Sequence, residues 1–260
     1  WAPDTYEGAP TSVSAFFAIL PKFAIISLCC RLYFFAFYDL INVWQPMLLL
    51  AALMSVVVAA FSALYQRKLK RFLAYRSIGH VGYMLIGFGT GTIEGLQAVL
   101  VYMLIYMVTS ICAWSFILSL RVKDQQNNST RPFFIRQLNG LGVVRPVLAF
   151  TLAIVIFSMA GTPPLAGFVA KISIFFSAIE RSLYGLAIIG VLTSVLSAFY
   201  YLRFIKIMYF DKINGWMLLD RIDKEKSILL GGSLFFLLFL FLFPSPLLTL
   251  AHEVALWIVV

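Results

Sequence analysis

A double-proline break inside a long apolar segment constrains this chain more than any other feature. The segment runs from about Pro146 to Glu180 and is longer than the roughly 20 residues that a membrane-spanning helix needs. Its centre reads GTPPLAG, and a helix cannot run straight through two prolines because each removes a backbone donor and clashes with the preceding turn. The sequence therefore predicts one span in two half-helices, broken at 161–164. The residues of this break are Gly161, Pro163, Pro164 and Gly167.

Composition places the whole chain in a membrane. Of its 260 residues, 62% are hydrophobic and 12% are charged, and the mean hydropathy is +0.95. A soluble domain has about 25% charged residues. The sequence predicts an all-α, polytopic transmembrane helical bundle of about seven spans, with one broken helix. No P-loop is present, and no cysteine pair has the spacing of a metal or redox site.

The apolar segments and the turns between them predict the spans. Residues 1–9 are expected to be the end of a preceding broken helix or loop, and residues 252–260 a C-terminal tail. Pro21 is expected to interrupt the first span. The membrane domain, residues 10–251, is predicted to contain spans at about 10–38, 45–65, 72–88, 96–120, 146–180, 185–208 and 228–248.

The net charge of +9 comes from basic residues whose distribution is that of a topology signal and not that of a nucleic-acid surface. With seven alternating spans, 16 of the 20 basic residues fall on the side where the first span begins. Cytoplasmic or matrix loops carry such an excess of Lys and Arg, so this side is predicted to face inward. These residues are Arg67, Lys68, Lys70, Arg71, Arg76, Arg121, Lys123, Arg131, Arg136, Arg145, Arg203, Lys206, Lys212, Arg221, Lys224 and Lys226.

Three basic residues, Lys22, Arg31 and Lys171, lie within predicted spans. A charge at mid-bilayer costs roughly 2.5–3.5 kcal/mol on insertion scales, so it needs a partner or water. Lys22 and Lys171 also lie next to helix-breaking prolines on different helices. We expect them to mark a hydrated proton path through the bundle, with His80 as a relay between them.

A structural alternative stays open for each of these residues. Lys171 could have the purely structural role of pairing with a carbonyl freed by the broken helix, and Lys22 could extend to the interface. His80 could bond a neighbouring backbone group. Arg31 could reach headgroups or tie helices together. Asp4 and Glu7 are possible pairing partners for a buried lysine, and with Arg31 they complete the set of possible relay or pairing residues.

Three long motifs carry a resemblance to a known family. WAPDTYEGAPTSVSAFFAILPK, KLKRFLAYRSIGHVGYMLIGFG and SMAGTPPLAGFVAK occur in this order. Together they resemble the proton-translocating membrane subunits shared by respiratory complex I and the multisubunit cation/proton antiporters. The similarity covers essentially the whole chain and is closest to a mitochondrial complex I member.

The resemblance implies an architecture and site residues. The family has fourteen spans in two inverted repeats, and this chain looks like the last seven. Lys22 and Lys171 match the lysines of the family's central hydrophilic axis, and His80 matches the histidine of its SISHVGY motif. Ser12 departs from the family's usual proline. The family's upstream glutamate and its lysine partner have no counterpart in this sequence.

The resemblance also implies cofactors, partners and a location. This chain would bind no cofactor and no metal, and would be a non-redox subunit of an H+-translocating NADH:ubiquinone reductase, with NAD, FMN, iron–sulfur clusters and ubiquinone elsewhere in the complex. Its partners would be other membrane-arm subunits, lipids and a separate polypeptide carrying the N-terminal half, with no nucleic acid. The location would be the mitochondrial inner membrane, with the bacterial plasma membrane as the alternative. Two other functions stay open, a subunit of a multisubunit cation/proton antiporter and a non-conducting structural half-subunit.

Overall fold

The chain folds into a bundle of apolar helices. The computed structural model describes residues 1–120, 122–123, 129–130, 133–211 and 223–259, with backbone alone for 122–123, 129–130 and 259. The α-helices are α1 Ala2–Gly8, α2 Thr11–Arg31, α3 Ile41–Leu64, α4 Leu69–Gly89, α5 Ile93–Ser119, α6 Leu141–Val144, α7 Pro146–Ala160, α8 Ala166–Glu180, α9 Tyr184–Tyr209, α10 Lys224–Leu242 and α11 Ser245–Val259. The remaining elements are a π-helix at Leu32–Ala36, 3₁₀ turns at Tyr38–Leu40 and Ile135–Leu138, and a two-residue antiparallel pairing of β1 Val122–Lys123 with β2 Ser129–Thr130.

The centre of the bundle is α5, which packs against α2, α4, α7, α8, α10 and α11. Among the described residues, five helices are long and apolar enough to cross a membrane. Helix α4 and the two halves α7 and α8 complete the segments for which the sequence predicts spans. The all-α membrane class is confirmed, whereas the seven-span topology stays a prediction.

Helix α2 runs through Pro21 without a break, so the interruption predicted there is wrong. Proline cannot donate to the carbonyl four residues earlier, which here is Phe17 O. The Tyr6 hydroxyl donates to Phe17 O instead, at 3.2 Å. A carbonyl freed by proline inside a membrane helix is tolerated where a neighbouring group bonds it, and Tyr6 supplies that bond.

The predicted break between α7 and α8 is present and spans residues 161–165. Helix α7 ends where Gly161 takes the left-handed conformation with φ 78°, which glycine adopts without steric cost. Pro163 and Pro164 lie in the turn that follows. Gly167 lies where a Cβ atom would overlap the backbone of Ser158, so glycine is required for the two halves to approach each other.

The C-terminal region differs from its prediction. Helix α10 ends at Leu242, six residues before the expected end of the seventh span, and α11 occupies residues that the sequence predicts as span end and tail. Pro244 explains the break, because the residue before a proline is disfavoured in the helical conformation. Phe243 accordingly has φ −130° and ψ 73°.

Candidate functional site: a polar axis of two lysines and a histidine

Lys22 lies between two tyrosines at the Pro21 position of α2. Its Nζ atom is 5.6 Å from the ring centroid of Tyr6 and 5.9 Å from that of Tyr106, distances at which aromatic faces attract a cation. Lys22 Nζ donates to Ser77 Oγ at 2.5 Å and to Tyr106 Oη at 3.5 Å. Tyr106 in turn donates to Ala18 O, the carbonyl one position beyond the one freed by Pro21. The contacts of Lys22 run toward the bundle interior, which disfavours an extension to the interface.

His80 is buried on α4, one helical turn beyond the Ser77 that Lys22 contacts. Its Nδ1 atom lies 2.6 Å from Tyr102 Oη. Its ring centroid lies 5.1 Å from that of Tyr106, which also contacts Lys22. His80 therefore pairs with a side-chain hydroxyl and not with the neighbouring backbone group of the structural alternative. His80 and Lys22 thus share Tyr106 as a neighbour, which contacts both.

Lys171 is buried on α8 and reaches back to the broken helix. Its Nζ atom donates to Ala160 O at 2.6 Å, the last carbonyl of α7. It also lies 5.2 Å from the ring centroid of Tyr83. The bond to Ala160 is the contact that the structural alternative expects, and it is equally compatible with a lysine that exchanges protons.

Two small cavities connect Lys171 with His80. One has a volume of about 20 Å³, and its lining includes Arg76, His80, Tyr83 and Lys171. The other, of about 10 Å³, includes His80, Tyr106 and Lys171 in its lining. A cavity needs about 10–15 Å³ to hold one water molecule. The structure thus brings Lys22, His80 and Lys171 into one polar axis, with Tyr106 beside the first two and the cavities between the last two.

Arg76 belongs to this axis, although the sequence analysis grouped it with the basic loop residues. It lies within α4 and is only 3% exposed. Its guanidinium donates to Ser110 Oγ at 3.1 Å and contacts Met159 Sδ, while its Nε atom has no partner among the described residues. The spacing of four residues from His80 puts both side chains on one face of the helix. That spacing was the available sequence signal for Arg76.

The acidic residues near the start of the chain do not pair with a buried lysine. Glu7 forms ion pairs with Lys68 and Arg71, and Asp4 pairs with Arg71, all joining α1 to the start of α4. Arg31 lies exposed at the end of α2. The structure therefore places these three possible relay or pairing residues outside the axis of Lys22, His80 and Lys171.

A helical membrane bundle with a buried lysine beside a broken helix, and a second lysine whose contacts lie in the bundle, defines a class of protein. Broken helices at mid-membrane supply the ion sites of secondary transporters, and ionisable residues there mark ion or proton pathways. The fold and the axis are those of an antiporter-like membrane protein.

The chain belongs to the family described as NADH:quinone oxidoreductase/Mrp antiporter, TM, which it matches over residues 1–197. It is 48% identical over 256 residues to NADH-ubiquinone oxidoreductase chain 2 of Marchantia polymorpha, covering 98% of this chain and 50% of that protein. It is 43% identical over 258 residues to NADH-quinone oxidoreductase subunit N of Pelagibacter ubique, covering 98% of this chain and 53% of that protein. The chain spans about half the length of these relatives.

Two solved structures share the fold. A chain of respiratory complex I from Thermus thermophilus with bound Aureothin has a TM-score of 0.78 at 30% identity, covering 96% of this chain and 53% of that one. A chain of the Mrp complex from Dietzia sp. has a TM-score of 0.84 at 19% identity, covering 100% of this chain and 55% of that one. The second comparison speaks for the fold alone.

Proposed function

We propose that this chain moves protons across a membrane as part of the membrane arm of respiratory complex I. The observation that carries the proposal is the axis of Lys22, His80 and Lys171 inside a chain 48% identical to a complex I subunit. Electron transfer in the complex would supply the energy. NAD, FMN, iron–sulfur clusters and ubiquinone would act in other subunits, so the contribution of this chain would be non-redox.

Each residue of the axis would have one role. Lys22, at the end of the axis that lies against α1, would receive a proton from the upstream half of the unit. His80 would relay it, with Tyr102 orienting the imidazole and the small cavities providing room for a bridging water. Lys171 would exchange the proton with the outer side. The broken helix supports this exchange, because the freed carbonyl of Ala160 gives the Lys171 amine a fixed partner in either charge state.

The axis would work together with an upstream half of the unit. The relatives are about twice as long as this chain, and the resemblance places a glutamate and a lysine of the axis in their first half. We predict that other membrane-arm subunits of the complex are the partners of this chain. We also predict the mitochondrial inner membrane as the location, on the strength of the resemblance, and the positive-inside pattern predicts that the basic side faces the matrix.

A native gel of gently solubilised membranes, stained for NADH oxidation, tests the assembly. We expect peptides of this chain in the stained band, together with peptides of the upstream half. A small band without NADH oxidation would contradict the proposal and favour the subunit of a multisubunit cation/proton antiporter, to which the family description also extends.

The variant Lys171→Ala tests proton movement in the assembled complex. We expect fewer protons moved per NADH oxidised, because the exchanging amine is gone. An unchanged ratio would contradict the assignment and favour a non-conducting structural half-subunit.

A further inference from the structure

A larger cavity than the two beside Lys171 opens on the basic side of the bundle, away from the lysine axis. Its volume is about 470 Å³, and it lies between the end of α3, the start of α4, the last turns of α9 and the 3₁₀ turn Ile135–Leu138. Its inner wall is apolar and includes Ala63, Phe72 and Phe204. We call it the arginine cavity. Neither lysine of the axis nor His80 lines it.

Three arginines, Arg67, Arg136 and Arg203, line the arginine cavity, and no acidic residue appears among its described lining residues. Arg203 Nη1 donates to Leu64 O at 3.3 Å. In the part of the chain that the structure describes, no hydrogen bond or ion pair is recorded for the side chain of Arg67 or of Arg136. Three guanidinium groups around one cavity form a site for an anion, and their planar forks match the oxygens of a phosphate.

One further polar atom suggests the chemistry of the anion. Asn139 lines the same cavity, and its Oδ1 atom is buried with no hydrogen-bond partner among the described residues. This acceptor needs a donor, and the hydroxyl of a glycerol headgroup or a protonated oxygen of a phosphate would supply one. The cavity therefore offers cationic groups for a phosphate together with an acceptor for a hydroxyl donor, and the neighbouring surface distinguishes a lipid headgroup from a free ion.

The surface next to the cavity suits the acyl chains of a lipid. Helices α3 and α9 pack against each other. Three side chains on this surface are exposed, namely Phe61 on α3 and Phe199 and Leu202 on α9. Phe61 precedes Arg67 and the other two precede Arg203, so all three lie nearer the middle of their helices than these arginines. A lipid whose phosphate contacts the arginines would lay its acyl chains along these side chains. A free phosphate has no acyl chain and would not contact these side chains.

We propose that the arginine cavity binds the headgroup of an anionic glycerophospholipid, whose acyl chains lie along the outer faces of α3 and α9. Basic pockets between membrane helices on the inner side commonly hold such headgroups. The proposal does not depend on proton movement by the lysine axis.

Photolabelling of the assembled membrane protein in phosphatidylcholine nanodiscs tests the proposal. The probe is phosphatidylglycerol with a photoreactive acyl chain, and labelled peptides are identified by mass spectrometry. We expect label on the α9 peptide that contains Phe199 and Leu202. The double variant Arg67→Gln, Arg136→Gln should reduce this label about 10-fold, because each basic residue near the surface adds to anionic lipid binding.

Two further variants make the result specific. The control Lys206→Gln, Lys224→Gln removes two exposed positive charges outside the cavity, and it should label like the unaltered protein. Arg67→Lys, Arg136→Lys retains both charges and should keep most of the label, which separates loss of binding from loss of folding.

Competition distinguishes the possible occupants. Unlabelled phosphatidylglycerol should displace the probe, and phosphatidylcholine should not. Displacement by inorganic phosphate at the same concentration would overturn the lipid in favour of a free anion. The unaltered protein could also show no label on α9 while a partner polypeptide covers the cavity. That result would overturn the proposal in favour of a protein interface. Equal labelling of the Arg67→Gln, Arg136→Gln variant would also overturn it.

Discussion

The Nζ atom of Lys171 lies 2.6 Å from the carbonyl oxygen of Ala160, where α7 ends and the helix break begins. The break thus supplies the hydrogen-bond acceptor for the buried amine of α8. This one contact serves both a structural lysine and a proton-exchanging one, so geometry alone leaves both interpretations in place. They predict different consequences for the same substitution.

Lys171→Arg separates the two interpretations. Arginine keeps a donor for Ala160 O but holds its proton in any protein environment. If Lys171 exchanges protons, translocation should fall by about 100-fold while assembly persists, in line with the loss of a positioned proton donor and acceptor. The measurement is acidification of membrane vesicles during NADH oxidation. Lys171→Met, which removes the donor without adding bulk, serves as the companion variant. Full translocation by Lys171→Arg would establish the structural interpretation.

Tyr102→Phe tests His80 as a relay. The hydroxyl of Tyr102 is the recorded hydrogen-bond partner of His80, and without it the imidazole loses its orientation. We expect the number of protons moved per electron to fall, with a rate loss of about 10-fold or more. The matched control is Tyr65→Phe, since Tyr65 is 83% exposed at the C-terminal end of α3. A drop in thermal stability with an unchanged proton-to-electron ratio would show that His80 is structural.

Arg76→Met tests the buried guanidinium. Replacing a buried ion by an apolar side chain of similar volume is often neutral or stabilising, so the variant should assemble as well as the unaltered chain. Arg76 lines the same cavity as His80 and Lys171, and its permanent charge repels a proton held there. Translocation should slow in the variant, because without this repulsion the proton would bind more tightly and leave more slowly. Vesicle acidification and the yield of assembled protein are measured together. A lower yield with normal translocation would instead mean that Arg76 only ties α4 to its neighbours.

Gly167→Ala tests the close approach of the two half-helices. The added methyl group would overlap the backbone of Ser158, and overpacking of this kind costs about 1–3 kcal/mol. The midpoint of thermal unfolding in detergent should therefore decrease. Gly185→Ala is the control, because a Cβ atom at Gly185 meets nothing within 4 Å. Equal midpoints for the two variants would show that the half-helices separate without cost.

Local chemistry made the helix break predictable. Gly161, Pro163 and Pro164 act on the backbone at their own positions, so the sequence alone located the interruption between α7 and α8. The same holds for the membrane class, which follows from composition, and for Lys22, His80 and Lys171, whose charge or polarity stands out within apolar segments.

Tertiary contacts decided where local rules failed. Pro21 frees a carbonyl in the same way as any helical proline, yet α2 continues, and Tyr6 of α1 bonds Phe17 O. Arg76 lies at the end of a basic cluster, yet the packing of α4 against α5 buries it. The sequence by itself determined the class and the break, and it singled out Lys22, His80 and Lys171. Only the tertiary structure decided which carbonyls are satisfied and which charges are buried, because both depend on side chains that other helices bring into contact.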